Sequence, residues 1–212
     1  MTIIKGDIDK GLSSKEWDLG NEVLYKLCKE NFDHKETDKI IAKVWLIGRS
    51  YAAAIERRKN KTNINDNFYI NSVAPSFKNS ELDEYLNSIK EENEIKVENI
   101  KKILKIHNYL IQVIKEITDM EKRSFCSKYL HFHLPKLFFI YDTRAVTALR
   151  QFVSRVPKDL EYLSKLDNVD KEYSKFFLKS FVLRNKIKEE FDLNLTTREI
   201  DKILIVKANN EL

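Results

Sequence analysis

The sequence predicts an all-α protein, with at most a short β element around residues 64–74. Three observations favour this class. Glycine and proline are scarce, at 4 and 3 of 212 residues, whereas all-β folds need many turn residues. Apolar residues recur at steps of three and four, the period of an amphipathic helix. Two patterns typical of helix starts occur, at Ser13–Glu16 and Thr196–Glu199.

Three helices are predicted in the first half of the chain. The first ten residues read as a tail or a short packed strand, and a helix follows from residue 14 to about residue 32. A second helix is predicted over about residues 35–58, where apolar residues follow steps of three and four. Residues 59–79 break this pattern and predict a loop, with room for a short strand. The third helix begins at residue 79 or 80.

Helical periodicity continues through the second half of the chain. Pro135 disfavours helix at the residue before it, so two helices meet at a short apolar connection over residues 136–141. Asp142 is an N-cap candidate for the second of these helices. Residues 156–168 predict a short amphipathic piece. The helices predicted in this half cover approximately residues 96–118, 121–132, 142–154, 169–191 and 196–208.

The length and the hydrophobic content of 42% fit a single helical domain over residues 1–212. This domain has room for two lobes, over residues 1–95 and 96–212.

The charge balance is mildly basic, with a formal net charge of +5, which is weaker than the signature of a typical nucleic-acid binder. Cys28 and Cys126 form no CxxC pattern, so we expect reduced thiols. The N-terminal residues lack an apolar signal core, and no run approaches the ~20 apolar residues of a membrane span. We therefore expect a soluble, cytoplasmic protein.

Motifs of several enzyme classes are missing from the sequence. The four glycines are scattered, so neither GxGxxG nor GxxxxGK[ST] occurs, and nucleotide-driven enzymes are disfavoured. GxSxG is also missing, which disfavours a hydrolase nucleophile elbow. His131 and His133 lie two residues apart, on different faces of a helix, and no other ligand spacing predicts a metal site. We expect neither a metal nor a cofactor.

Lys128 and Asp142 are the residues best suited to chemistry. Lys128 lies one helical turn from both Phe125 and Phe132, at the border of an apolar stripe, where loss of hydration favours a nucleophilic amine. A carboxylate at Asp142, at a helix start, can stabilise positive charge that develops on a sugar carbon. The spacing fits a plain alternative equally well, in which Asp142 only caps its helix and Lys128 extends into solvent.

The segment around these two residues, KYLHFHLPKLFFIYD over residues 128–142, resembles the catalytic region of the helix-hairpin-helix DNA glycosylase superfamily. It is also similar to a bacterial group with an 8-oxoguanine DNA glycosylase-like fold. In the superfamily, a lysine after the hairpin is the nucleophile of the bifunctional members, and an aspartate follows it. The matching positions are Lys128 and Asp142. The resemblance implies a helix-hairpin-helix, glycosylase-like helical bundle.

The resemblance also implies a function in base excision repair. A DNA glycosylase excises or recognises a damaged or modified base that is flipped out of duplex DNA, and a hydrolase or lyase step follows. Duplex DNA is then the expected partner. Basic side chains are expected to contact phosphates: Lys122, Arg123, Arg144, Arg57 and Arg58. Four further side chains are expected to form the base pocket: Tyr129, Phe132, His133 and Tyr141. For the three aromatic side chains among them, packing in the core is the alternative.

The turn before the Lys128 helix departs from the family pattern. Residues 118–123 read TDMEKR, without the glycines whose amides hold a DNA phosphate in the family. Whether the chain is an enzyme therefore stays open. One alternative is a non-catalytic helical module that binds nucleic acid or protein, for example in phage defence. Another is a nuclease, although the sequence contains no R-x4-6-H pattern.

Overall fold

The structure is a computed structural model, and it describes residues 3–13, 16–56 and 67–209. Every regular element within these ranges is helical, which confirms the all-α class. A π-helix covers Tyr69–Val73, and a 3-10 helix covers Tyr162–Lys165. The α-helices are α1 Lys5–Ser13, α2 Glu16–Glu30, α3 Thr37–Ser50, α4 Ala74–Lys78, α5 Leu82–Asn87, α6 Val97–Thr118, α7 Arg123–His133, α8 Thr143–Phe152, α9 Lys158–Glu161, α10 Lys171–Phe191 and α11 Thr197–Asn209.

Two expectations of strand are wrong. The first ten residues contain most of α1, a helix that buries Ile8 and Gly11. The loop predicted over residues 59–79, with room for a short β element around residues 64–74, is instead helical over residues 68–78. This segment buries Val73 and Phe77, which lie one helical turn apart, so packing favours helix there. Residues 64–66 lie outside the described ranges, as do residues 14 and 15 within the expected N-terminal capping box.

The second predicted helix, over residues 35–58, ends early at Ser50. Ala52 adopts a left-handed φ of 49°, and the N–H of Ala53 donates a hydrogen bond to the carbonyl oxygen of Gly48 at 2.8 Å. The chain therefore folds back on the end of α3. An ion pair spans this turn, with Nη2 of Arg49 at 2.7 Å from Oε1 of Glu56.

The predicted helix starts at Asp142 and Thr196 are confirmed. Oδ1 of Asp142 accepts a hydrogen bond from the backbone N–H of Arg144 at 3.0 Å, which caps α8. At α11, the N–H of Thr196 donates to Oε2 of Glu199 at 2.7 Å, and the N–H of Glu199 donates to Oγ1 of Thr196 at 3.2 Å. This reciprocal pair is a capping box.

α7 lies at the centre of the helical packing. It contacts α2, α3 and α6, and every residue of the range 125–133 is buried. The buried side chains include four polar ones: Ser127, Lys128, His131 and His133. Because buried polar groups need hydrogen-bond partners, the packing of α7 depends on specific hydrogen bonds.

The connection between α7 and α8 lies against α7 and is held by its polar side chains. Nδ1 of His131 donates to the carbonyl oxygen of Phe138 at 2.8 Å. Oγ of Ser127 accepts from the N–H of Tyr141 at 2.9 Å. These hydrogen bonds fix the backbone path of the connection and place Asp142 beside α7.

Gly11 is the point of closest approach between α1 and α11. A Cβ atom at this position would lie 2.6 Å from Cγ1 and 2.8 Å from Cα of Ile203. The second of these atoms belongs to the backbone of α11, which cannot move without displacing the helix. Glycine is therefore required by the close contact of the two helices.

We expect Gly11→Ala to lower the free energy of unfolding by about 1–3 kcal/mol, because the added methyl group overpacks the α1–α11 contact. Gly20→Ala is the matched control within α2. No atom lies within 4 Å of its added Cβ, so alanine should raise stability by about 0.5–1 kcal/mol. Urea denaturation followed by far-UV circular dichroism measures both values. Equal responses of the two variants would contradict the role of Gly11.

Candidate active site

A cavity of about 380 Å³ lies between the end of α3, α7, the start of α8 and α11. Ile140, Ile205 and Val206 supply apolar parts of its wall. Charged side chains supply much of the rest: Arg49, Lys128, Asp142, Arg144, Arg198, Asp201 and Lys202. The structure thus brings the two predicted catalytic residues, Lys128 and Asp142, into one cavity wall.

The Lys128 side chain is only 2% exposed. Its Nζ donates hydrogen bonds to Oγ of Ser124 at 2.6 Å and to the carbonyl oxygen of Tyr141 at 3.1 Å. Oδ2 of Asp142 lies 3.7 Å away. Burial lowers the pKa of Lys128 below its usual range, although the negative charges of Asp142 and Asp201 oppose this shift. Deprotonation of Lys128 to the neutral amine therefore costs less free energy than deprotonation of a surface lysine.

The two carboxylate oxygens of Asp142 have different contacts. Oδ1 caps α8 and also lies 3.6 Å from Nε of Arg144, whereas Oδ2 faces Lys128. The side chain keeps 27% of its surface exposed. The capping role in the plain alternative is thus present, but Lys128 does not extend into solvent. Asp142 can therefore cap α8 with one oxygen and interact with Lys128 through the other.

Asp201, on α11, is a cavity residue that the sequence did not indicate. It is 5% exposed, and its Oδ2 accepts a short hydrogen bond from Nη1 of Arg198. Burial raises the pKa of Asp201 to about 6, while the positive charges of Arg198 and Lys128 oppose this shift. No local pattern marks this residue, because its environment is created by the packing of α11 beside α7 and α8.

Basic side chains outnumber acidic ones in the cavity wall by five to two. Some of this charge is neutralised nearby, because Arg49 pairs with Glu56, and Nζ of Lys202 lies 2.9 Å from Oδ2 of Asp18. Arg144 keeps 56% of its side chain exposed. The remaining positive charge favours an anionic or strongly polar ligand.

The residues predicted to contact DNA phosphates occupy different environments. Arg144 lines the cavity. Arg123 does not, and its guanidinium group forms two hydrogen bonds to Asp170, at 2.5 and 2.6 Å. Lys122 directly precedes α7 and is half-buried. The two remaining residues lie outside the described ranges: Arg57 and Arg58.

The four residues predicted to form the base pocket do not line the cavity. Tyr129, Phe132 and His133 are buried in the core. The ring of Tyr141 packs edge-on against Phe176, with 5.2 Å between ring centroids. Sequence spacing had identified an apolar stripe correctly, but all sides of α7 are covered, so these rings pack in the core. A base held in the cavity would meet other side chains.

Lys43 belongs to a second buried polar group, which sequence reasoning missed. It is fully buried, and its Nζ donates to the carbonyl oxygens of Asn31 at 2.6 Å and Asp33 at 2.9 Å. Nε2 of His133 lies 3.3 Å from the same nitrogen. Burial lowers the pKa of Lys43 to about 8. These contacts fasten α3 to the loop before it and to α7.

His34 and Tyr129 continue this polar group. Nδ1 of His34 donates to Oδ1 of Asp83 at 2.5 Å, and the hydroxyl of Tyr129 donates to Nε2 of His34 at 2.7 Å. In His133, Nδ1 donates to the carbonyl oxygen of Tyr129 at 2.8 Å. Burial lowers the pKa of both histidines, and each neutral ring has one donor and one acceptor in use. We assign this group a structural role.

Comparisons with protein-family models, curated proteins and solved structures found no match for this chain. Within the described residues, no cluster of three or more His, Cys, Asp or Glu side chains could hold a metal ion. The same ranges contain no helix with the length and apolarity needed to cross a bilayer. The fold and the site together define an all-α protein in which a buried lysine and a half-buried aspartate lie side by side in the wall of a cavity.

We expect Asp142→Ala to lower the free energy of unfolding by about 0.5–2 kcal/mol, because α8 loses its N-cap acceptor. Asp142→Asn keeps a side-chain oxygen at the same position and should stay within about 0.5 kcal/mol of the wild type. Urea denaturation of the two variants separates the cap from the charge. If both variants lose the same stability, the charge beside Lys128 outweighs the cap.

Lys43→Met should alter how stability depends on pH. The pKa of Lys43 is about 8 in the folded protein and about 10.4 in the unfolded chain, so between these values the unfolded state binds more protons. The wild type should therefore gain stability relative to Lys43→Met as pH rises from 8 to 10. Denaturant titrations at several pH values measure this difference. Lys175→Met, at an exposed lysine, serves as the control and should show no such slope. A constant difference for Lys43→Met would contradict the buried, depressed lysine.

Proposed function

We propose that this protein is a DNA glycosylase-like enzyme that acts on a damaged or modified base, with Lys128 as the nucleophile and Asp142 as the stabiliser of positive charge. One observation carries the proposal. The ammonium group of Lys128 is buried, 3.7 Å from the Asp142 carboxylate, in the wall of a cavity of about 380 Å³. Buried ionisable pairs in cavities are typical of functional sites. The pair also occupies the two positions that the glycosylase resemblance assigns to chemistry.

The proposed reaction starts with a nucleotide flipped into the cavity. The neutral amine of Lys128 attacks C1′ of the sugar while the bond from C1′ to the base breaks. The carboxylate of Asp142 stabilises the positive charge that develops on the sugar. Opening of the sugar ring gives a Schiff base with Lys128, and β-elimination from this intermediate cleaves the strand.

The arrangement of α6 and α7 supports the resemblance to the helix-hairpin-helix superfamily. The two helices pack together and are joined by a turn over residues 119–122. Asp119 has a left-handed φ of 55°, a conformation that favours glycine. Since Asp119 and Glu121 are acidic, this turn is poorly suited to a phosphate. We assign phosphate contacts instead to the exposed Arg144 beside the cavity.

A non-catalytic binding module is the second candidate. It is favoured by the contacts of Lys128, whose Nζ already donates to Ser124 and Tyr141. In this alternative, the lysine fixes the connection between α7 and α8. The cavity would then hold a polar ligand without reacting with it.

Borohydride trapping on duplex DNA with one abasic site tests the proposal. We expect the wild type to form a covalent adduct that mass spectrometry maps to the peptide containing Lys128. Lys128→Met should reduce the adduct at least 100-fold, on the order of the loss expected for a catalytic group. Lys175→Met, at an exposed lysine outside the cavity, is the control and should react like the wild type.

Two other outcomes contradict the role of Lys128 or the enzyme as a whole. An adduct that persists in Lys128→Met would place the nucleophile elsewhere. No adduct and no base release across a panel of lesions would refute the glycosylase. If the wild type then bound duplex DNA with a strong salt dependence, the binding module would be supported.

A further inference from the structure

Asp201 is a buried carboxyl group that the proposed mechanism leaves without a role. It lies in the wall of the same cavity as Lys128 and Asp142. Its Oδ2 accepts a hydrogen bond from Arg198, but its Oδ1 is buried without a partner among the described residues. Such an oxygen is rare in folded proteins and calls for a bound proton or a ligand.

Charged groups from three helices surround Asp201. Arg198 and Lys128 favour its ionised form, whereas burial and the nearby charge of Asp142 favour the neutral acid. The resulting pKa of about 6 makes both forms accessible near neutral pH. Burial raises the pKa of two nearby tyrosines, Tyr25 and Tyr51, and the charge of Asp201 adds to both shifts.

We propose that Asp201 is a further catalytic residue, the general acid that protonates the base as it leaves. This proposal rests on the glycosylase function proposed above. A neutral base is a poor leaving group, because cleavage of its bond to C1′ leaves an electron pair and negative charge on the nitrogen. A carboxylic acid in the cavity wall can neutralise this charge as it forms.

Asp201 supplies one proton, and water exchanges the others. Loss of a proton from the Lys128 ammonium to water gives the neutral amine, and Asp201 enters the reaction as the carboxylic acid. The amine attacks C1′, the electron pair of the C1′–N bond moves to the base, and the proton of Asp201 joins that nitrogen. The new secondary ammonium then loses a proton to water, and water protonates the ring oxygen when the sugar opens to a protonated Schiff base.

Asp142 is less suited to this role. Its Oδ1 accepts from the backbone N–H of Arg144, and its Oδ2 lies beside the Lys128 ammonium. Both of its oxygens thus already have donor or cationic partners and 27% of its side chain is exposed, whereas Oδ1 of Asp201 is buried without a partner among the described residues. The two aspartates therefore divide the work, with Asp142 as the anion and Asp201 as the acid.

Three reactions of Asp201→Asn test the proposal, each compared with the wild type in single turnover. They are release of neutral bases such as uracil and 8-oxoguanine, release of cationic bases such as 7-methylguanine, and borohydride trapping on abasic DNA. A cationic base leaves as a neutral molecule, and an abasic site has no base, so neither needs the acid. We expect neutral-base release to fall at least 100-fold and the other two reactions to stay within about 3-fold.

The control is Glu189→Gln, which removes an exposed carboxylate outside the cavity and should leave all three rates unchanged. Retained trapping by Asp201→Asn also shows that the variant is folded. Equal loss in all three reactions, or no loss of neutral-base release, would overturn the role of Asp201. A wild type that releases only cationic bases, or that traps abasic DNA without releasing a base, would overturn it too. A wild type inactive in every reaction would refute the glycosylase itself.

Discussion

The burial of residues 125–133 of α7 is the constraint on which the rest of the structure depends. A helix covered on all sides is ordinarily apolar throughout, yet this one carries Ser127, Lys128, His131 and His133. Each of these polar groups would cost about 1–3 kcal/mol if it were buried without a partner. Their partners are backbone groups of the connection to α8 and side chains of neighbouring helices. The position of α7 therefore determines the positions of the connection to α8 and of the neighbouring helices.

The connection to α8 transmits this constraint to the candidate site. Ser127 binds the N–H of Tyr141, and Lys128 binds its carbonyl oxygen, directly before Asp142. The 3.7 Å separation between the Lys128 ammonium and the Asp142 carboxylate is thus set by backbone hydrogen bonds. An ion pair of this length is weak by itself, but its geometry is held by the fold.

Local signals predicted much of this fold. The cap at Asp142 and the capping box at Thr196 depend on neighbouring residues, so the sequence alone located both helix starts. The early end of α3 could not be predicted in this way. Ala52 adopts a left-handed conformation although residues 49–56 contain no glycine or proline, and the turn is held by a hydrogen bond back to the carbonyl oxygen of Gly48.

The sequence predicted only those residues of the candidate site that lie close together in one segment of the chain. Lys128 and Asp142 flank one connection, so a single segment of sequence pointed to both. Tyr129 and Phe132 were placed in the base pocket because an apolar stripe cannot distinguish a pocket from a core when the whole helix is covered. Asp201 had no signal, because its environment exists only after α11 packs beside the other two helices.

The two cavity aspartates illustrate how position in a helix gives two carboxyl groups unlike environments. Asp142 stands at the start of α8, where free backbone N–H groups and the helix dipole favour a negative charge. Asp201 lies within α11, where backbone N–H groups are already bonded along the helix and burial favours the neutral acid. Pairs of carboxyl groups in unlike environments are a recurring basis for acid and anion roles in one site. Both aspartates also influence the pKa of the buried Lys128, the third group to which we assign the proposed cleavage of a bond from sugar to base.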